Sequence, residues 1–280
     1  MTADLNEDHA ARAAPPDARL LTASSLPRRA FHELAFFLDL DGTLAPIVPT
    51  PDQARIPDAT LSLLERLYVA CAGSVAIVSG RDAADIDRLQ APLSLPYAAL
   101  HGAQIKGPAG RTESIEVPPD ELAEIIARIE SVAGRLPGAI VERKALSVAL
   151  HYRNAPRHEA EIRQLAASAL AGHGAHFEVQ EGKMVVEIKP RGASKGAAVE
   201  RFMRIAPFQG RTPVFAGDDL TDESAFRIIN AMNGISVKIG AGPTQALWRL
   251  DDPPALSAWL GSLFQTHAAA AAADTIKDRK

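Results

Sequence analysis

The sequence predicts an α/β protein, a doubly wound parallel sheet interrupted by a second, smaller α/β domain. Three observations carry this expectation. Short apolar runs with β preference alternate with helical patterns through most of the 280 residues. Several of those runs stop at a polar residue beside a glycine, as strands do where a parallel sheet opens onto its ligand side. The rhythm breaks once, over 116–189, where two closely spaced pairs of strands each follow a helix.

Residues 1–30 are rich in Ala, Asp, Arg and Pro without a sustained period, and read as a flexible N-terminal arm. Their acidic start lacks the apolar centre of a signal peptide. A strand is expected over about 35–40, inside Phe36-Phe37-Leu38-Asp39-Leu40-Asp41-Gly42-Thr43-Leu44. Pro46, Pro49, Pro51 and Pro57 then preclude a regular helix. A helix fits 58–72, with Leu61, Leu64 and Leu67 on one face and Gly73 ending it. A strand over 75–79, a helix over 82–89 and a short strand over 97–100, ending at His101-Gly102, follow.

Pro118-Pro119-Asp120 opens an amphipathic helix that Pro137-Gly138 closes. The runs 139–142 and 146–152 are joined closely enough to pair antiparallel, and a helix over 156–171 precedes strands near 176–180 and 184–188. This segment suits a small inserted domain, assigned to 116–189 within a core of 31–115 and 190–266. Ser194 is the expected N-cap of a helix over 195–204. A strand over 213–216, a helix over 222–230 and a strand over 235–239 restore the parallel rhythm. The tail, 267–280, is an alanine run followed by charges that either extends a helix or frays, and is assigned no chemistry.

Composition narrows the setting. Apolar residues make up 47% and charged residues 23%, ordinary for a soluble globular chain. A net charge of −4 with scattered basic residues gives no global attraction to nucleic acid. No stretch reaches the roughly 18 apolar residues of a membrane helix. The lone Cys71 excludes an internal disulfide or a Cys-rich zinc site and reads as a small core residue. The expectation is a cytoplasmic monomer with neither nucleic acid nor membrane as partner.

The chemistry is read from Asp39 and Asp41. Residues i and i+2 of a strand share a side, roughly 6–7 Å apart at Cα. One phosphoryl group fits between a carboxylate that attacks it and one that protonates the leaving group. The plainer alternative is a strand running into an acidic Asp-Gly turn. Convergence favours the chemistry: Ser79 follows 74–78, Lys195 sits at a helix start, and Gly217-Asp218-Asp219 follows 213–216. Two unit charges at 4 Å repel by about 4 kcal/mol at an effective dielectric near 20, so an aspartate attacking a phosphate dianion needs cations beside it. Asp218, a carboxylate oxygen of Asp39 and a backbone carbonyl near Asp41 suit Mg²⁺. Lys195 adds a flexible ammonium, and the Ser79 hydroxyl with nearby N–H groups can hold the remaining phosphate oxygens. Each residue also has an ordinary reading: an acidic helix start over 218–223, an exposed lysine, a turn serine.

Asp39-Leu40-Asp41-Gly42-Thr43, Ser79, Lys195 and Gly217-Asp218-Asp219 resemble the four motifs of the haloacid dehalogenase-like phosphotransferases. The inserted domain, between the serine and lysine motifs, resembles their α/β cap, and the resemblance implies a Rossmann-like core beneath it. More narrowly, from about 35 to about 265 the chain resembles the family of trehalose-6-phosphate phosphatases. Val78-Ser79-Gly80-Arg81, His101-Gly102-Ala103, Glu142-Arg143-Lys144, His151-Tyr152-Arg153 and the string 182–190 carry that likeness. It implies Mg²⁺-dependent hydrolysis of trehalose 6-phosphate through an aspartyl phosphate, the last step of trehalose synthesis. Asp39, Asp41, Ser79 and Lys195 are then catalytic, with Asp39, Asp41 and Asp218 at the metal. Arg81, Glu142, Lys144, Lys183 and Glu187 bind the sugar phosphate. His101, His151 and Arg153 are expected to orient the site or support the cap. Another sugar phosphate, such as sucrose phosphate, and a non-catalytic phosphosugar sensor remain as alternatives. Asp41 argues against the sensor, because a stable aspartyl phosphate needs no acid/base partner.

Overall fold

The computed structural model describes residues 18–22, 29–182 and 184–277, so Lys183 and most of the 1–30 arm lie outside the described residues. In chain order the elements are β1 (Arg19–Leu20), β2 (Leu34–Leu38), α1 (Asp58–Ala70), β3 (Val75–Val78), α2 (Ala83–Gln90), β4 (Tyr97–Ala99), β5 (Gln104–Lys106) and β6 (Thr112–Ser114). Then come α3 (Pro119–Ala133), β7 (Ile140–Arg143), β8 (Val148–His151), α4 (Glu159–Leu170), β9 (Phe177–Gly182) and β10 (Val185–Pro190). The chain finishes with α5 (Lys195–Phe202), β11 (Thr212–Gly217), α6 (Glu223–Ala231), β12 (Ile235–Ile239), β13 (Trp248–Leu250) and α7 (Pro253–Lys277).

A nine-stranded sheet runs β1-β13-β12-β11-β2-β3-β4-β5-β6, parallel from β1 to β4 and antiparallel at β5 and β6. Alternation along β2 shows why it is apolar throughout. Phe36 and Leu38 pack with Leu64 and Leu67 of α1, Ile86 of α2, and Trp259 and Leu260 of α7. Ala35 and Phe37 turn to the other face, against Val199 and Phe202 of α5 and Phe226 of α6. A strand covered by helices on both sides has no polar face to offer. Each buried Phe contributes about 1.5–3 kcal/mol by removal from water.

A second sheet, β7-β8-β10-β9, is antiparallel. Leu122, Ile125 and Ile129 of α3 and Ile162 of α4 cover one face through Val148, Leu150, Val186 and Ile188. Its period of two leaves Glu142, Ala149, Glu187 and Gln180, which share one register row, for the face without helices. The connections between the sheets run between Ser114 and Pro119 and between Pro190 and Lys195.

The structure differs from the expectation in several places. The arm is not loose throughout, because Arg19 and Leu20 pair with Trp248 and Arg249 at the sheet's edge. Two paired residues are too few to leave a period in the sequence. The strands β5, β6 and β13 leave no recognisable run because Gln104 and Lys106, Thr112-Glu113-Ser114 and Arg249 interrupt it, whereas β4, equally short, is apolar throughout. Of the two readings open for the alanine-rich tail, an extended helix or a frayed end, the described residues show the helix, as far as Lys277 within α7. No helix of the described residues is long and apolar enough to cross a membrane.

Candidate active site

From β2 the chain continues to β3 on one side, and it reaches β11 on the other only after the second sheet is complete. A crevice opens beyond the carboxyl ends of strands at such a switch. β2 ends at Leu38, so Asp39 and Asp41 lie in the turn beyond it rather than on the strand. The Asp39 N–H donates to Ala216 O at 2.9 Å, which sets Asp39 level with the end of β11. Gly42 adopts φ +78°, and a Cβ there would collide with the Asp218 carboxylate. Glycine is required here for both its backbone angle and its missing side chain.

Lys195, the first residue of α5, donates from Nζ to Asp39 Oδ1 at 2.6 Å and to Asp222 Oδ1 at 2.6 Å. Ser194 caps that helix, its Oγ accepting the Ala197 N–H at 3.0 Å. A helix start disfavours a cation. Burial also opposes the Lys195 charge, but Asp222 and Asp39 outweigh it and push its pKa up. Oxygens of Asp39, Asp218 and Asp222 lie within 4.8 Å of one another. Burial pushes the Asp39 carboxyl well above its ordinary value against the pull of Lys195, with Asp222 and Asp218 adding to the rise. Burial and then Asp222 push Asp218 up to about 6. Hard oxygen donors crowded at this spacing, with more negative charge than Lys195 neutralises, fit a divalent cation. Lys238 of β12 braces the group from behind, its Nζ donating to the Asp218 carbonyl.

Arg81 grips Asp41 with two parallel bonds, Nε to Oδ2 at 2.7 Å and Nη2 to Oδ1 at 2.8 Å. It also reaches Asp85 at 3.2 Å. Such a fork fixes orientation as well as charge. The Asp41 side chain is 41% exposed and faces the crevice mouth, whereas Ser79 is buried. Ser79 Oγ accepts the Arg81 N–H at 3.2 Å. The Asp41 carboxylate stands outside the three-carboxylate group, so any part of Asp41 in holding metal falls to its backbone carbonyl.

The second sheet brings its polar face to this crevice. Lys144 Nζ donates across the gap to Gly80 O at 3.2 Å and to Glu187 Oε1 at 3.3 Å. The Ser147 hydroxyl donates to Glu187 Oε1 at 2.6 Å, and His101 Nε2 lies 3.4 Å from Glu187 Oε2. Burial alone would raise the Glu187 carboxyl, but His101, Lys144 and Ser147 hold it well below the usual carboxylate range. Glu142 pairs with His151 Nε2 at 2.7 Å, which lowers its pKa. Arg153 is exposed, while the neighbouring Tyr152 is buried in the cap's own core.

A family model described as trehalose-phosphatase matches residues 37–254. The chain belongs to the trehalose-phosphatase family. A protein of Escherichia coli (strain K12) named trehalose-6-phosphate phosphatase is 47% identical over 226 residues, covering 81% of this chain and 85% of that protein. A probable trehalose-phosphate phosphatase of Sinorhizobium fredii is 38% identical, with 81% and 85% covered. The structure of Aspergillus fumigatus trehalose-6-phosphate phosphatase is similar at a TM-score of 0.67 and 28% identity, covering 89% of this chain and 99% of that one.

In this trehalose-phosphatase chain the structure gathers Asp39, Lys195 and Asp218 into one cluster, with Asp41, Ser79 and Arg81 beside it. Glu142, Lys144 and Glu187 stand on the facing cap. The sequence left Asp219 and Asp222 open as further metal ligands; the short helical turn Leu220–Asp222 brings the Asp222 carboxylate to Asp39 and Asp218. Two residues escaped the sequence reading. Lys238 had a usable signal, a single lysine inside Ile-Ser-Val-Lys-Ile, because a strand buried at every position keeps a lysine only with partners. Ser147 had none.

Proposed function

We propose that this chain hydrolyses trehalose 6-phosphate to trehalose and phosphate, with Mg²⁺ and through an aspartyl phosphate on Asp39. The observation that carries the reading is the placement of Asp39 against Lys195 and two further carboxylates, directly beneath a cap face bearing Glu142, Lys144 and Glu187. Membership of the trehalose-phosphatase family supports the substrate.

Asp39, Asp218 and Asp222 would hold the Mg²⁺ through carboxylate oxygens, with the Asp41 carbonyl as a further donor. The bound ion supplies positive charge against the phosphate dianion. Lys195 keeps Asp39 oriented and offsets part of the charge that builds as its oxygen attacks phosphorus. The Ser79 hydroxyl donates to a phosphate oxygen, and Arg81 turns its guanidinium from Asp41 to the incoming dianion. Asp41, released from the fork, takes up a proton from solvent and gives it to the departing sugar oxygen. It then takes one from the water that opens the acyl phosphate. On the cap, Glu142 and Glu187 accept hydrogen bonds from sugar hydroxyls, and Lys144 and Lys183 donate them. The setting proposed is cytoplasmic, where a lone cysteine stays a free thiol as Cys71 does, and the chain is proposed to act as a monomer.

The test is phosphate release from trehalose 6-phosphate beside sucrose phosphate, each with Mg²⁺ and with chelator. Rapid, metal-dependent release from trehalose 6-phosphate alone is the expected result. Preference for sucrose phosphate would replace the substrate, and binding without release would replace the enzyme by a sensor.

A further inference from the structure

We infer that His101 is a positioning residue, coupling the cap to the phosphate-binding turn through Glu187. The inference rests on the reading just given, and it turns the general expectation that His101 orients the site or supports the cap into one specific link between the two. Leu100 and His101 adopt φ +49° and +55° in succession, a backbone that side-chain-bearing residues rarely accept and that marks functional turns. The strained turn is tied to its neighbour by two backbone bonds, Leu100 N–H to Arg81 O at 2.9 Å and His101 N–H to Ser79 O at 2.9 Å. Whatever shifts His101 therefore shifts the turn carrying Ser79 and Arg81.

The side chain points the other way, to the cap. Nε2 lies 3.4 Å from Glu187 Oε2, and the ring fills the space that a Cβ on Gly80 would need. His101 is 8% exposed, and its Nδ1 is buried without a hydrogen-bond partner. Its one polar anchor is thus the cap carboxylate. Lys144 closes the circuit by donating to both Glu187 and Gly80 O. Beneath it Leu146 of the cap packs on Leu100, Ala103 and Ala193. Gly80, His101, Glu187 and Lys144 form a closed ring across the two sheets, so a sugar hydroxyl that engages Glu187 or Lys144 is felt at Ser79.

The experiment has two arms on the full chain. In steady-state kinetics, His101→Ala should lower kcat/KM for trehalose 6-phosphate at least tenfold more than for p-nitrophenyl phosphate, which has no sugar to reach the cap. His101→Gln, which retains a side-chain N–H donor, should recover most of that difference. Glu187→Gln combined with His101→Ala should lose no more than Glu187→Gln alone. Equal proportional losses on both substrates, or additive losses in the double variant, would overturn the coupling. The second arm needs no substrate: hydrogen exchange over 144–147 should quicken in His101→Ala while α3 and α4 keep their protection. Unchanged exchange there overturns the inference. If wild type cleaves p-nitrophenyl phosphate but not trehalose 6-phosphate, the substrate reading fails, and the exchange arm still decides whether His101 holds the cap.

Discussion

At the scale of single residues, the site is an exercise in holding like charges together. Asp39, Asp218 and Asp222 can approach because Lys195 lies between two of them and Lys238 pins the backbone of the third. Asp39→Asn keeps the shape and the Lys195 contact but removes the attacking anion. Phosphate release should fall to near background while circular dichroism and the melting midpoint stay close to wild type; substantial turnover by a folded, contaminant-free variant would reassign the nucleophile. Gly42→Ala tests crowding rather than chemistry. The new Cβ displaces the Asp218 carboxylate, and the φ of +78° adds backbone strain of about 1–2 kcal/mol. Calorimetric titration should show weaker Mg²⁺ binding together with lower turnover. Retained Mg²⁺ affinity would place the ion away from Asp218. The sequence shows Gly42 as a turn glycine, but the carboxylate it makes room for belongs to a residue far along the chain.

At the scale of elements, α5 shows how local rules and tertiary needs combine. Ser194 supplies an ordinary N-cap, and the sequence gives it away. Lys195 contradicts the local rule, since a cation at a helix start works against the dipole. Its compensation comes from Asp39 in the turn after β2 and from Asp222 in the turn before α6, neither adjacent in sequence. Ser194→Ala should cost about 1 kcal/mol, lowering the melting temperature by about 2–4 °C for a chain of this size. Because Lys195 is the next residue, turnover should fall as well. A variant that melts lower but turns over normally would show that the cap serves the helix alone. The long strands and helices were legible for a related reason: β2, β3 and β11 are apolar at nearly every position, and α1 and α3 carry clear helical stripes. The short edge strands were not, since their partners, not their residues, make them strands.

At the scale of the whole molecule, the ring across the two sheets gives stability a pH signature. Glu187 is held well below its ordinary 4.5 and His101 is pushed below its ordinary 6.5 by burial. For Glu187 the sign is that of a depressed acid: its contribution is complete above about pH 4.5 and fades as pH falls toward its lower folded value. For His101 the unfolded chain takes up the proton first, so stability drops as pH falls below about 6.5. Urea midpoints should therefore show Glu187→Gln destabilised equally at pH 7.5 and 5.5, with the gap narrowing only in stronger acid. His101→Gln should lose part of the wild-type decline between pH 7.5 and 5.5. A gap for Glu187→Gln that already closes by pH 5.5 would mean its carboxylate is not held by these partners.

Local pattern was enough to reveal the alternation of strands and helices and to pick out Asp39, Asp41, Ser79, Lys195 and Asp218 as groups able to meet at one end of a sheet. Those conclusions depend on spacing along the chain, where period, turn chemistry and capping are local physics. Only the folded arrangement could show that Arg81 holds Asp41, that Asp222 rather than Asp219 joins the cluster, and that Glu187 faces His101. Each of these is a contact between residues brought together by crossovers and by the closing of one sheet over another. Such contacts leave no period in the sequence, because the distance that matters is measured through space.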